Sequence, residues 1–250
     1  MNPLIDQSYR ASEDYETFLI ARRAEIVERI EAAARRVNRD VAEISSIAVS
    51  KTVDVPQLVS AYMAGYECFG ENRPQELRRK LGLLADVPGL PRQRFHMIGN
   101  LQKNKINQVL DCDVELVHSV SSLELARAIS KRAQARDKQV AILLEVNVSG
   151  EQSKSGMTVV EALMCANEIA ALPALSLEGL MTMAPAGNRD EARQTFSGLR
   201  ELRDHLHKVT GLPLEILSCG MSGDFEIAVE EGATLLRLGR VVFSPDFHLE

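Results

Sequence analysis

The chain contains no tryptophan, and aromatic residues make up only 4% of it. Platforms for stacking nucleic-acid bases are therefore scarce. A basic cluster is missing as well. Lys and Arg are spread along a chain whose formal net charge is −6, a distribution unsuited to a polyanion-binding surface. No apolar run approaches the length needed to cross a bilayer, and residues 1–16 are polar with several acids, unlike a signal or transit peptide. Cysteine is sparse too: Cys68, Cys112, Cys165 and Cys219 are dispersed and show no CxxC spacing. They read as reduced thiols of a cytoplasmic protein, neither a disulfide framework nor a metal site. The resulting expectation is a cytoplasmic protein with no metal and no nucleic-acid or membrane partner.

What is abundant is α/β pattern. Residues 14–37 form one long amphipathic stretch, with Phe18, Leu19, Ile26, Ile30, Ala33 and Val37 at helical spacing and Arg22, Arg23, Glu28 and Arg36 on the other face. Apolar strand candidates follow at 47–50, 67–70, 94–98, 116–119, 140–148, 177–181, 215–218 and 234–238. Helical stretches separate them at 55–64, 74–84, 104–110, 122–135, 159–171, 189–210 and 225–231. Hydroxyl-then-acid start signals stand at Ser122 with Glu124 and at Thr158 with Glu161.

Eight strands with seven intervening helices predict a single (β/α)8 TIM-type barrel with an extra N-terminal helix. A doubly wound open sheet is the structural alternative. The twelve residues after the last strand are too few for a full eighth helix, so the N-terminal helix is expected to cover the flank left open. No linker or repeat divides the 250 residues, which read as one domain with a core at about 14–243. The shortage of long apolar surface stretches leans towards a monomer.

In such a barrel the active site gathers at the C-terminal strand ends. The polar residues there are Lys51, Glu71, Asn72, Gly99, Asn100 with His96 just before, Asn147, Thr182, Gly220 to Gly223, Arg237 and Gly239. Lys51 ends an apolar strand, where partial burial would favour a neutral amine able to attack a carbonyl. Gly220 to Asp224 lies between strand seven and a helix, so backbone N–H groups and the Ser222 hydroxyl are placed to face an anion. Gly239 and Arg240 follow the last strand, where glycine lets the backbone come close. An amine and an anion seat suit a phosphorylated aldehyde. The basic residues Arg73, Arg78, Arg79, Lys80 and 103–105 near the same mouth read as solvated helix faces.

Six stretches carry a resemblance: AVSK at 48–51, FGENRPQE at 69–76, FHMIGNLQKNK at 95–105, QSKSGM at 152–157, GLMTMAP at 179–185 and SCGMSGD at 218–224. In that order they resemble the pyridoxal phosphate homeostasis proteins, over residues 14–243. The resemblance implies a barrel like the N-terminal domain of alanine racemase, holding pyridoxal 5′-phosphate (PLP) as a Schiff base. By position, Lys51 matches the family's PLP lysine, and Asn72 lies beside the ring. Met221, Ser222 and the backbone of Gly239 and Arg240 match the phosphate site, and Arg237 matches the arginine facing the pyridine nitrogen. Phe243 to Phe247 departs from the family's usual Phe-Gly turn, and Leu249-Glu250 has the look of an added terminus.

An arginine against the pyridine nitrogen cannot lend it a proton, which leaves the ring a weak electron sink. The resemblance therefore implies a PLP carrier in vitamin B6 homeostasis, without catalytic residues and with transient contacts to apo-enzymes. The alternative is a PLP-dependent amino-acid racemase. Racemization needs acid/base groups on both faces of the substrate carbon. The four tyrosines, Tyr9, Tyr15, Tyr62 and Tyr66, fall at no predicted strand end. A cofactor-free lysine aldolase shares the amine and the phosphate seat and is the third reading.

Overall fold

The computed structural model describes residues 5–151 and 153–249; Gln152, which opens one of the motifs, and Glu250 lie outside them. Eight parallel strands form a closed barrel in sequence order: β1 (Ser45–Val49), β2 (Cys68–Glu71), β3 (Arg94–Met97), β4 (Leu116–Val120), β5 (Val140–Glu145), β6 (Leu175–Met181), β7 (Ile216–Ser218) and β8 (Leu235–Leu238). β1 pairs with β2 on one side and with β8 on the other, Ile47 opposite Arg237 and Ala48 opposite Leu238. That closure rules out the open-sheet alternative and bears out the barrel.

The helices are α1 (Glu13–Arg36), α2 (Val55–Met63), α3 (Pro74–Ala85), α4 (Ile106–Leu110), α5 (Leu123–Gln134), α6 (Val159–Ala170), α7 (Arg189–Thr210), α8 (Phe225–Glu230) and the single turn α9 (Arg240–Phe243). Start signals behave as their chemistry requires. Thr158 and Glu161 form a reciprocal capping box on α6, and Asp54 with Gln57 forms one on α2. Ser122 caps α5 alone, because the N3 position is Leu125, and Glu124, one residue too early to return to the cap, pairs with Lys103.

α1 closes the flank beside α9. Leu19, Ile26, Ile30 and Ala33 are buried on one face, and Ser12 caps its start. Tyr15 donates its hydroxyl to Phe243 O at 2.8 Å. Arg29 and Arg36 pair with Glu226, and Arg36 also pairs with Glu230. Two expectations for this helix fail. Arg22 is buried, giving N–H to Val241 O at 2.9 Å with its guanidinium over the Phe18 ring, because α9 brings a carbonyl needing a donor. Val37 is exposed at the C-cap, where helical periodicity no longer directs it inward.

Two apolar cores result. One lies between strands and helices and includes Phe69, Leu77, Ile129 and Phe196. The other fills the barrel lumen with Ile47, Leu116, Leu143, Met181 and Leu235. Alternation along each strand then sends His118, Glu145, Ser218 and Arg237, each two residues from a lumen residue, inward as well. The lumen is thus a packed apolar core threaded by polar groups.

Candidate active site at the strand ends

Closure makes β7, β8, β1 and β2 four consecutive strands. Lys51 follows β1, Asn72 follows β2, Ser222 lies in the loop after β7, and Arg237, Gly239 and Arg240 lie in or just after β8. Residues up to 189 apart in the chain therefore share one sector of the mouth.

Lys51 is exposed, against the expectation of partial burial. It sits in the turn beyond the last ladder residue, so the apolar run below it does not desolvate it. Its neighbour is anchored firmly. Ser50 O accepts from the Lys80 ammonium at 2.7 Å, and Ser50 Oγ donates to Glu71 Oε1 at 3.0 Å. Lys80 and Glu71 form a buried ion pair, with side-chain exposures of 2% and 1%. Glu71 Oε2 also accepts from the Asn72 amide at 3.1 Å. One ion pair thus ties the start of the Lys51 turn to the start of the Asn72 loop. Lys80 was expected on a solvated helix face; its neighbours Arg73, Arg78 and Arg79 are exposed as anticipated.

Asn72 is half-buried, and the loop after β3 lies directly on it. A Cβ on Gly99 would come within 2.2 Å of Asn72 O, so only glycine permits that approach.

The loops after β7 and β8 are clasped together, with the Val241 amide donating to Ser222 Oγ at 3.0 Å. Ser222 is buried, and its hydroxyl proton remains to be donated. The amides of Ser222 and Gly223 have no protein partner among the described residues, whereas the Met221 amide donates to Asp224 Oδ1 at 2.6 Å. Burial pushes the Asp224 carboxyl up. Gly220 has φ +89° and packs its α-carbon against Ala228, where a Cβ would clash at 2.5 Å. Gly239 is different: a Cβ there would make only ordinary contact with Val49 at 3.5 Å, so no protein neighbour demands the glycine. Arg240 is exposed and lays its guanidinium over the Phe247 ring, so the divergent tail is held against this loop.

Arg237 is the most constrained of the set. It is buried, and donates through Nη1 to Ser218 O at 2.8 Å and Ser218 Oγ at 2.7 Å, and through Nη2 to Thr182 O at 2.9 Å. No carboxylate pairs with it among the described residues. Burial pulls its pKa down, yet a guanidinium keeps its proton in proteins. A buried cation held only by neutral oxygens has unspent capacity for a neutral or anionic acceptor at the mouth. That suits a pyridine nitrogen, and with the Ser222 and Gly223 donors the residues present fit PLP.

The remaining strand-end residues serve the frame. Asn147 Nδ2 donates to Glu151 O at 2.9 Å, and Thr182 Oγ1 to Val146 O at 2.7 Å. His96 is not at the mouth. Its side chain points to the N-terminal end of the barrel, among the first residues of the strands, because it stands only two residues after Arg94, where β3 begins. Burial lowers it from 6.5 to about 4. Its Nδ1 meets His118 Nε2 at 2.9 Å, and His118 Nδ1 meets Ser218 Oγ at 3.0 Å. Glu145 went unremarked in the sequence. It closes β5 with 2% exposure, accepts from Ser155 Oγ at 2.6 Å and leaves Oε2 unpartnered, and burial raises its pKa. A lone carboxylate ending the apolar run VAILLE was the available signal.

Comparison with known proteins agrees with this geometry. Residues 23–245 match the family described as alanine racemase, N-terminal domain. A protein of Aquifex aeolicus named "Pyridoxal phosphate homeostasis protein" is 37% identical over 89% of this chain and 96% of its own length. The structure of PipY from Synechococcus elongatus with PLP bound superposes with a TM-score of 0.75 at 31% identity, covering 88% of this chain and all of that one. An alanine racemase of Clostridium difficile shares the fold, with a TM-score of 0.71 at 15% identity over 94% of this chain and 59% of its own. The sequence motifs, the closed barrel and these matches place the chain in the pyridoxal phosphate homeostasis protein family, within the alanine racemase N-terminal domain fold.

Proposed function

We propose that the chain binds PLP at this mouth and acts in intracellular PLP homeostasis as a single-domain, monomeric, cytoplasmic carrier rather than a catalyst. The observation that carries the reading is the unpaired buried Arg237 beside the clasped Ser222 loop, on the strand next to the one that presents Lys51. It is supported by the Aquifex aeolicus relative's name and by the PLP bound in PipY. When bound, PLP supplies an electrophilic aldehyde on a ring that withdraws electrons from an attached amine.

The protein's own residues do the rest. Lys51 would hold the aldehyde through its amine, and its exposure would leave that amine open to exchange with another. Ser222 and Gly223 would donate to the phosphate, with Met221 shaping the loop and the backbone of Gly239 and Arg240 completing the seat. Asn72 would flank the ring. Arg237 would give a hydrogen bond to the ring nitrogen without protonating it, leaving the ring a weak electron sink and disfavouring turnover. Tyr9, Tyr15, Tyr62 and Tyr66 all lie between residue 9 and the end of the α2 turn, and Tyr15 spends its hydroxyl on Phe243 O. Hand-over to apo-enzymes would take place at the same open mouth. No helix among the described residues is long and apolar enough to cross a membrane.

The test is spectroscopic. Protein loaded with PLP should show a visible band that borohydride bleaches, and mass mapping should place the reduced adduct on Lys51. Lys51→Ala should lose both signals. A colourless protein that takes up no PLP would overturn the reading. Loss of optical purity from single-enantiomer amino acids, abolished by Lys51→Ala, would overturn the carrier role in favour of a racemase.

A further inference from the structure

The N-terminal face of the barrel, opposite the mouth, carries a cavity of about 610 Å³ ringed by the first residues of the strands. Glu43, Glu115, Glu178 and Glu215 line it against a single cation, Arg94. Two residues of its wall, His96 and Glu115, meet Cys68 behind them, and the ligand atoms of the three all lie within 4.8 Å of one another. We propose that this face is a site for one divalent transition-metal ion, zinc by its chemistry, held by Cys68 Sγ, His96 Nε2 and a Glu115 oxygen. The fourth position is left to water or a dissolved ligand.

The donor set points to the metal. Thiolate with imidazole selects zinc over magnesium or calcium, which prefer oxygen throughout. Ligands of one tetrahedral zinc stand about 3.3–3.8 Å apart, given bonds of roughly 2.0–2.3 Å. His96 Nε2 and Glu115 Oε2 are already 3.7 Å apart. The widest pair needs about 1 Å of closure, within reach of the half-buried Cys68 and exposed Glu115 side chains. Arg94 donates to Glu115 Oε1 at 2.7 Å and leaves Oε2 turned to His96, so it orients the carboxylate.

His96 has the support a metal-bound imidazole requires. Its Nδ1 is engaged by His118, which leaves the Nε2 lone pair for the ion. His118 is buried and bonds Ser218, which bonds Arg237. A line of hydrogen bonds therefore runs through the lumen from the metal face to the arginine of the mouth. On binding, the Cys68 thiol releases its proton to solvent, the sulfur–metal bond forms and no electron changes hands. His96 keeps one proton, on Nδ1, donated to His118.

The site is tested with cobalt(II) added to tag-free, PLP-loaded protein. One equivalent should give the intense red-region absorption of four-coordinate cobalt, clear of the pyridoxal bands, and zinc should displace it. Cys68→Ser should shift that absorption and weaken binding at least about tenfold, and Glu115→Gln should weaken it by about the same factor. Both side chains are partly exposed, and metal-free melting curves are to be compared with the parent's as the check that the variants fold. PLP loading of both should match the parent, which separates this site from the cofactor reading. Absence of the four-coordinate spectrum at one equivalent, or a spectrum and affinity unchanged in both variants, would overturn the proposal.

Discussion

Replacing Lys80 by methionine tests the ion pair under the Lys51 turn. The substitution keeps the volume and removes the ammonium, leaving Glu71 at 0% exposure with only Ser50 Oγ and the Asn72 amide as donors. Breaking one partner of a buried pair costs about 3–5 kcal/mol, because the surviving charge is uncompensated. For a domain of this size each kcal/mol moves Tm by roughly 2–4 °C, so Lys80→Met should melt roughly 6–20 °C lower. The double variant Lys80→Met with Glu71→Gln removes the stranded charge and should recover most of that loss, since an amide oxygen still accepts from Ser50. Calorimetry of the parent, single and double variants decides it. A single variant melting within about 2 °C of the parent, or a double variant no better than the single, would refute the reasoning. Ser50 O loses its donor in both variants, so both should retain PLP less well than the parent.

Two further outcomes follow from the polar groups. Burial holds His96 at about 4 and His118 well below 6.5, so the unfolded chain takes up protons first as pH falls. Stability is complete above pH 6.5 and is lost as the pH drops from there towards about 4, His96 alone accounting for roughly 3 kcal/mol. Denaturant titrations should show this slope, and NMR should show both rings still neutral at about pH 5; ordinary titration near 6.5 would contradict it. Ser222→Ala strands the Val241 amide and removes a donor from the phosphate seat. It should cost about 1–3 kcal/mol of stability and weaken PLP binding roughly tenfold or more, while leaving the affinity for unphosphorylated pyridoxal unchanged. Equal losses for both ligands would place the phosphate elsewhere.

Local pattern carried the architecture well, because each cue acts within a few residues. The 3.6 spacing in α1 and the Thr158 capping box needed no distant partner, and α7 begins and ends where its periodicity does. Strand bounds drifted by up to three residues: the apolar run at 140–148 outlasts β5 (Val140–Glu145), while β1 begins two residues ahead of its apolar run, at the polar Ser45. α9 was not anticipated, since four residues offer no period to detect.

The site was legible as residue types at strand ends but not as an environment. Charge in a sequence predicts solvent, yet Arg22, Lys80, Glu145 and Arg237 are all buried. Each is buried because a distant segment supplies its partner or its cover: Val241 for Arg22, Ser50 and Glu71 for Lys80, Ser155 for Glu145, and Ser218 with Thr182 for Arg237. His96 shows the same limit. Alternation places it inside the barrel, but only the register with β4, where His96 faces Leu116, tells its depth. The sequence by itself determined the α/β order, the closed barrel and which residue types stand at its strand ends, Lys51, Ser222 and Arg237 among them. Tertiary structure alone decided that β1 meets β8, that Lys51 stays exposed while Lys80 does not, and that Cys68, His96 and Glu115 converge at the far end. Periodicity is a property of neighbours along the chain, whereas closure and burial depend on what the chain brings back to the same place.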